Sequence, residues 1–461
     1  MIETVFHILG RCSYFVIFLF VAQCIRLLWK RPFPSNAPKF VAGYPLVGAL
    51  QFFNNPEAFC HSSKMSSPTG NYSFYLGRDR VVGLSGPQGR KTFFESRDLD
   101  LEAGADLNLP WVSLVLQVEN FATDTHPSNL GSVLRTALLR TQGLEAIPVT
   151  IESYTTATLK EIATKALFDP FPVITLSFTR SIMAAMGIGE LASSSELSRR
   201  VSDMMGALDR PFTAIDTLLP WPLNPWTVSA WIVLARLSTL MSKIIRNRKR
   251  QQQSHKEHPA KHGMLQDLIN KKCSTRTILQ VVLGTAFAAQ GNTPTVTSWT
   301  LIELSTTGYW MTQVRQEINQ VIFKYQNNGE SADQVLRSLS MHTWEHEFPL
   351  LHACLLESIR IAVLPVVLRK NISTTYIRIG DTGEVIPPGA YATYDLRDGA
   401  RNPDIYPDPE RWDPGRFLPD RAEQLKEAIA FTGFGAGRHR CRELMHLLTK
   451  MSKDLIQLWV V

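Results

Sequence analysis

A chain of 461 residues with 44% hydrophobic and 19% charged side chains can build a large core and is far from the composition of a disordered protein. Its net charge of +7 fits contact with an anionic surface, either membrane headgroups or an acidic redox partner, and no DNA- or RNA-binding motif makes nucleic acid a partner. The six cysteines at 12, 24, 60, 273, 354 and 441 show no paired spacing, which points away from a disulfide framework and towards a reducing compartment.

No low-complexity linker or internal repeat divides the middle of the chain, so one large domain plus an anchor is expected. Val5 to Ile25 are mostly apolar, densest from Tyr14 to Ala22, and Arg26, Lys30 and Arg31 follow at once. This predicts a membrane anchor over residues 1–31 with its basic flank in the cytosol, shortened or tilted by His7 and Arg11. A cleaved signal peptide is disfavoured because no small-residue cleavage site follows. Prolines at 32, 34 and 38 make residues 32–40 a stiff hinge, and residues 41–461 are expected to form the main body.

Tyr72–Leu76 and Val81–Leu84 flank Gly77-Arg-Asp-Arg80, which predicts a β-hairpin leading into a short helix at about 86–96. From about 128 to 345 the pattern is helical, and strands return only after 365. The fold class is therefore mainly α with a smaller β-sheet region. Around Leu218–Trp226 the chain is apolar and broken by proline, which fits a core helix end, while the family resemblance set out below equally implies a substrate-channel lid that dips into the membrane. The basic run Arg246–Arg250 reads as a solvated helix end.

The apolar stretch from Thr277 to Leu304 is the strongest helix signal and contains Ala288-Ala-Gln-Gly-Asn-Thr-Pro294. Proline has no N–H to give the Gln290 carbonyl, and Gly291 adds space, so either a local groove or an ordinary kinked core helix is expected. His342-Thr-Trp-Glu-His346 matches the inverted zinc-protease spelling, but no further acidic ligand stands at a convincing spacing. In the helix expected over 347–361, Leu350, Cys354, Glu357 and Ile361 share one face. A lone carboxylate there is costly to bury, so Glu357 needs cationic partners, for which Arg360 and Arg416 are the candidates.

Val366–Arg369 reads as a strand, with turns at Asp381-Thr-Gly-Glu384 and Pro387-Pro-Gly389. The chain then reaches Phe434-Gly-Ala-Gly-Arg-His-Arg-Cys441, a glycine-rich turn ahead of a helix marked by Leu444, Leu448, Met451, Leu455 and Leu458. Arg438, His439 and Arg440 favour thiolate over thiol at Cys441, making it a soft, electron-rich metal ligand.

This turn resembles the haem-binding signature of the cytochrome P-450 family. Glu357-Ser-Ile-Arg360 and Pro414-Gly-Arg-Phe417 resemble the family's two preceding elements, in the same order. The resemblance implies the family fold and haem b (iron protoporphyrin IX) with Cys441 as axial ligand of the iron. It places Phe434, Gly437, His439 and Arg369 against the haem, Arg369 at a propionate, and makes Glu357, Arg360 and Arg416 a structural ion-pair network. Gly291, Asn292 and Thr293 fall where the family holds dioxygen. Asn292 replaces the usual acid, as in the branch with steroid 7α-hydroxylases and prostacyclin synthase. A microsomal member is implied, single-pass in the endoplasmic reticulum membrane and facing the cytosol. It would take electrons from an NADPH-dependent flavoprotein reductase and oxidise a hydrophobic small molecule, in the style of fungal secondary metabolism.

Two departures set up competing expectations. Glu443 stands where the family usually has glycine, and the chain stops at Val461 where members usually continue through a pocket-lining hairpin. Both favour a truncated, inactive homologue. Asn292 also permits a haem-thiolate isomerase or dehydratase that acts without O2 or a reductase.

Overall fold

The computed structural model describes residues 2–108, 168–210, 213–219, 224–253, 263–327, 329–362, 366–437 and 440–441. Helix α1 (Ile2–Leu28) exposes Tyr14, Phe18, Phe20 and Ile25, but its last turns pack on the body. Gln23 and Leu27 are buried, and Gln23 Nε2 donates to the Thr217 carbonyl at 3.0 Å. Residues 32–40 follow the sheet closely. Tyr75 Oη donates to the Arg31 carbonyl (2.8 Å), Arg80 donates to the Pro32 carbonyl (3.2 Å), and the Phe33 ring rests on Tyr75.

The main sheet joins the two ends of the chain. Strand β1 (Lys39–Phe40) pairs in parallel with β2 (Tyr72–Leu76), after the short helices α2 (Leu50–Asn54) and α3 (Pro56–Ser66). The expected hairpin forms from β2 and β3 (Asp79–Leu84), turning at Gly77 with φ +58°. Helix α4 (Gly86–Glu95), strand β4 (Leu99–Asp100) and α5 (Leu101–Asn108) follow. From the far end of the chain come β5 (Val366–Asn371) and β8 (Tyr391–Asp395), giving the order β1-β2-β3-β8-β5-β4. β6 (Ile377–Arg378) and β7 (Val385–Ile386) pair separately.

The helical bulk has two apolar cores threaded by one helix. The first gathers α6 (Pro170–Ala185), α7 (Gly189–Ala192), α8 (Ser195–Leu208), α10 (Pro225–Gln253) and α11 (Met264–Asn270) around Met186, Leu237, Ile245, Leu268 and Val281. The short α9 (Ala214–Leu218) precedes α10. Helix α12 (Thr275–Thr306) passes from that core into the second, formed with α13 (Gly308–Tyr325), α14 (Ala332–Ser338), α15 (Met341–His346) and α16 (Pro349–Ala362) around Leu304, Ile318, Trp344 and Leu355. Its 32 residues make it about 48 Å long at ~1.5 Å per residue.

Two expectations are refined here. The basic run on α10 is not uniformly solvated. Arg248 lies on the inner face below Ile244 and Ile245, donating to Glu190 Oε1 at 2.9 Å and to the Gly187 carbonyl at 2.7 Å, while Arg246 and Arg250 face water. The proline-broken stretch before it ends in an Asn224 cap that accepts from the Trp226 and Thr227 amides. Beyond that cap, α10 is long and apolar enough to cross a membrane (mean hydropathy 1.5). It nevertheless buries Leu234, Leu237 and Met241 in the core and exposes Trp226, Val228, Trp231 and Ile232.

The start of α16 carries two buried titrating groups with opposite effects. Glu317 accepts from the Leu350 and Leu351 amides at 2.8 and 3.0 Å, and burial pushes its carboxyl up to about 7. Burial, aided by the His346 charge, pushes His352 down to about 4. Above the ordinary carboxyl value of 4.5, native Glu317 keeps a proton that the unfolded chain has shed, so stability falls as pH rises towards 7. Below the ordinary imidazole value of 6.5, the unfolded chain takes a proton that native His352 refuses, so stability is lost as pH falls towards 4. Glu317→Gln removes only the first effect. Its unfolding free energy from urea titration should therefore gain more than the wild type's between about pH 5 and 6.5, by up to ~1.4 kcal/mol per pH unit, and equal gains would refute the opposition.

Candidate functional site

Glu357 is fully buried on α16 and both of its oxygens are engaged. Arg360, one turn on, donates Nε to Oε2 at 2.7 Å and Nη2 to Oε1 at 2.8 Å. The turn Pro414–Phe417 brings Arg416, whose Nε donates to Oε1 at 3.3 Å, and the Asp413 amide donates to the same oxygen at 2.9 Å. Arg360 spends its other hydrogens on the Ala400 and Pro409 carbonyls, and its guanidinium lies 5.0 Å from the Tyr406 ring centre. Arg416 Nη1 donates to Glu423 Oε2 at 2.9 Å. Burial pushes the Glu423 carboxyl up, but hydrogen bonds from Arg421 and Arg416 outweigh that and hold it below the ordinary value. Two carboxylates and two guanidiniums thus neutralise one another out of water, which fixes orientation more than it adds stability. The network locks α16 to the segment that leads into the cysteine turn.

That turn is closed by backbone bonds. The Gly435 amide donates to the Thr432 carbonyl at 2.9 Å and the Cys441 amide to the Phe434 carbonyl at 2.6 Å, leaving Cys441 half-buried. Phe434 packs in the second core with Val296 and Leu301 of α12, while Ala436 is buried with Phe93, Phe94 and Tyr394. Gly437 has φ +58°, and a β-carbon there would overlap the Phe94 carbonyl oxygen at the end of α4. Gly437→Ala is expected to destabilise the protein by the left-handed penalty of about 1–2 kcal/mol plus the clash. Gly383→Ala provides the comparison, with φ +79° and open space around the added carbon. Equal losses in urea unfolding would show that the contact with α4 carries nothing.

Arg369 on β5 reaches the same helix end. It is buried, donates Nη1 to the Phe93 carbonyl at 2.6 Å, and lies 4.7 and 5.3 Å from the Phe93 and Phe94 ring centres. Burial lowers its pKa to about 10, against the pull of the Asp100 charge, and its Nε has no hydrogen-bond partner. An unsatisfied buried guanidinium nitrogen calls for an anionic partner.

On α12 the three expected groove residues divide. Gly291 and Asn292 are exposed, whereas Thr293 is buried. The helix runs through Pro294 without interruption. Hydroxyls of Thr295, Thr297, Ser298 and Thr300 bond back to the carbonyls of Gly291, Thr293, Pro294 and Val296 at 2.8–2.9 Å, a pattern that favours bending. The space at Gly291 faces the Asp209 carboxylate, 3.7 Å from where a β-carbon would stand.

The structure therefore brings Arg369 and Gly437 together on the end of α4, packs Phe434 against the second core, and assembles Glu357, Arg360 and Arg416. Arg438, His439, Glu443 and the helix expected after Cys441 lie outside the described residues. Sequence reasoning missed Glu423, the Phe93 and Phe94 carbonyls, and Arg90. Arg90 is buried, bonds to the Ile429 carbonyl at 3.3 Å, pairs with Glu427, and has an unpartnered Nε. No local pattern marks any of them, since a carbonyl has no letter and Arg90 sits in an ordinary short helix.

These features fit a planar anionic cofactor held by sulfur. A glycine keeps the loop close to α4, a thiol-bearing residue ends the loop, and the Nε of a buried guanidinium lacks a partner. The comparisons agree. The family model described as Cytochrome P-450 matches residues 38–442. The cytochrome P-450 monooxygenase AacuE of Aspergillus aculeatus is 26% identical over 437 residues, covering 92% of this chain and 85% of the relative. The cytochrome P-450 monooxygenase nsrP of Aspergillus novofumigatus is 26% identical over 425 residues, covering 88% and 79%. The fold is similar to that of retinoic acid bound cyanobacterial CYP120A1, with TM-score 0.70, 20% identity and 92% of each chain covered. A family match that takes in the hairpin, the ion-pair network and Cys441 means that the chain belongs to the cytochrome P-450 family and is a haem-thiolate monooxygenase.

Proposed function

We propose that Cys441 is the axial thiolate of a haem b and that the enzyme hydroxylates or otherwise oxidises an apolar small molecule, of terpenoid, steroid or polyketide type, in fungal secondary metabolism. The closed turn carries this reading. The bond from the Cys441 amide to the Phe434 carbonyl holds the residue at a fixed place at the end of the loop.

Arg369 is the propionate ligand in this proposal. The Phe93 carbonyl already orients its guanidinium, so a carboxylate meeting the unpartnered Nε forms a charge-assisted hydrogen bond with little further ordering. Bound through the thiolate, the haem supplies the activation of dioxygen. The remaining tasks fall to the protein. Gly291 keeps space open on α12, and the Thr293 hydroxyl and Asn292 amide hold the water that delivers protons. An amide orients such a water but does not release a proton as an acid does, so the water chain carries the transfer.

Electrons come from an NADPH-dependent flavoprotein reductase, docked on a basic face of the protein. Residues 1–31 anchor the enzyme as a single pass in the endoplasmic reticulum membrane, residues 32–40 connect it, and the body from 41 onwards faces the cytosol. Support comes from Arg26, Lys30 and Arg31 after the apolar run, and from the exposed Trp226, Trp231 and Ile232 beyond α9, on which α1 packs.

The test is the carbon-monoxide difference spectrum of the reduced, detergent-solubilised full chain. A far-red-shifted Soret band and product formation that needs both NADPH and reductase are expected. Absence of the band overturns the ligand assignment. Peroxide rearrangement without NADPH or reductase would replace oxygenation by the isomerase reading.

A further inference from the structure

Putting one atom of dioxygen into a substrate RH and releasing the other as water follows RH + O2 + 2e− + 2H+ → ROH + H2O. A monooxygenase must therefore bring two protons to its oxygen site in every turnover. The residues assigned to that groove on α12 are Gly291, Asn292 and Thr293, and none of them is an acid.

An acid does face the groove, from another helix. Asp209 ends α8 as its C-cap, with its amide donating to the Gly206 carbonyl at 3.2 Å. Its Oδ2 stands 3.7 Å from where a β-carbon on Gly291 would be, and among the described residues no other neighbouring atom comes within 4 Å of that point. Two sets of contacts hold α8 there. Val201, Met205 and Leu208 share the first core with Ala286 of α12, and Gln290 Nε2 donates to the Ser202 carbonyl and hydroxyl at 3.3 and 3.1 Å. Asp209 is exposed, and among the described residues its carboxylate accepts no hydrogen bond and forms no ion pair. Arg210 beside it is bonded to Asp216 Oδ2 at 2.9 Å and lies 5.6 Å from the Trp226 ring centre. The carboxylate thus meets both water and the groove.

Thr293 is suited to pass a proton on. The hydroxyls of Thr285, Thr295, Thr297, Ser298 and Thr300 all bond back to carbonyls of their own helix, whereas the hydroxyl of buried Thr293 has no hydrogen bond among the described residues. Such a hydroxyl can accept from one oxygen while donating to another.

We propose that Asp209 is the acid that feeds the groove, doing from α8 what the amide of Asn292 cannot do from α12. The protonated carboxyl gives its proton to a water beside Gly291, the Thr293 hydroxyl hands one onward, and the carboxylate regains a proton from solvent on its exposed side. No electron moves in this relay; both electrons come from the flavoprotein reductase. Asp209 works through water and touches no substrate. The inference rests on the assignment of Gly291, Asn292 and Thr293 to the dioxygen groove.

One test needs no turnover. In the haem-loaded, detergent-solubilised full chain, Gly291→Cys puts a thiol beside Asp209, and mass spectrometry follows its modification by a cationic and by an anionic methanethiosulfonate reagent. Relative to free cysteine, a carboxylate at this distance should favour the cationic reagent by about threefold or more, and the preference should disappear in Gly291→Cys/Asp209→Asn. The same preference in both proteins overturns the proposal.

A second test supplies NADPH and a flavoprotein reductase without added substrate. Dioxygen then leaves as hydrogen peroxide, with two protons and two electrons, or as two waters, with four of each. After the peroxide made by the reductase alone is subtracted, Asp209→Asn should form water about tenfold more slowly or worse, with oxygen diverted to peroxide, and Asp209→Glu should keep roughly half of the wild-type rate or more. Guaiacol oxidation driven by hydrogen peroxide, which arrives with its protons, should fall far less, which separates lost proton supply from a damaged fold. Equal losses in the two assays, or an unchanged rate of water formation in Asp209→Asn, overturn the proposal. A wild type without the far-red carbonyl band fails the Cys441 assignment instead, and the thiol labelling still reports whether the Asp209 charge reaches the groove.

Discussion

Cys441→Ser is expected to fold with nearly the wild-type urea midpoint but to lose the far-red Soret band of the reduced carbonyl complex. Monooxygenase turnover should fall by about a thousandfold or more, roughly 4 kcal/mol of barrier. The two effects separate because the turn is held by backbone. The bond from residue 441 to the Phe434 carbonyl uses an amide that serine also has, and Phe434 and Ala436 keep their packing. What changes is the donor atom, from a soft thiolate to a hard hydroxyl that stays protonated at neutral pH. Arg369→Leu should give the converse result. Haem would be held more weakly, but whatever remains bound should keep the far-red band. A far-red band in Cys441→Ser would mean that another residue ligates the iron.

Glu357→Ala is expected to yield little soluble protein and no haem spectrum. Removing that carboxylate leaves the Arg360 and Arg416 guanidiniums buried with only Glu423 to balance them. Breaking such a pair from one side costs about 3–5 kcal/mol, a large part of the ~5–15 kcal/mol that holds a typical domain folded. The double variant Glu357→Leu/Arg360→Leu removes one charge of each sign and leaves Arg416 with Glu423. It should unfold at a higher urea concentration than either single leucine variant. If Glu357→Ala lies within about 1 kcal/mol of wild type, the network is not structural in the way its burial implies.

How much of this was legible beforehand depended on whether a feature is written locally. The hairpin at Tyr72–Leu84 and the helix carrying Glu357 follow from periods of two and of three to four residues, which neighbours in sequence determine. Arg416 could be paired with Glu357 because an apolar stripe leaves a carboxylate no other escape. Glu423 could not, since nothing near it in sequence announces that a turn will bury it against Arg416. Arg248 was misread for the same reason. Within a run of five basic and amide residues only the helix phase relative to the core decides which one turns inward, and that phase is set by distant packing. The spelling of Gly291, Asn292 and Thr293 marked one stretch of α12 but not its two sides, because the division between exposed and buried follows from how α12 lies between two cores.

The clasp at the end of α4 also constrains how the protein is made. The Phe93 carbonyl waits for a guanidinium that lies 276 residues further along the chain. At about 5–20 residues per second that interval is roughly 14–55 s on the ribosome. Gly437, which closes on the neighbouring Phe94 carbonyl, emerges later still. The cradle is therefore finished only after that interval, so under the proposed assignment haem enters a body whose hairpin and long helices have already been synthesised.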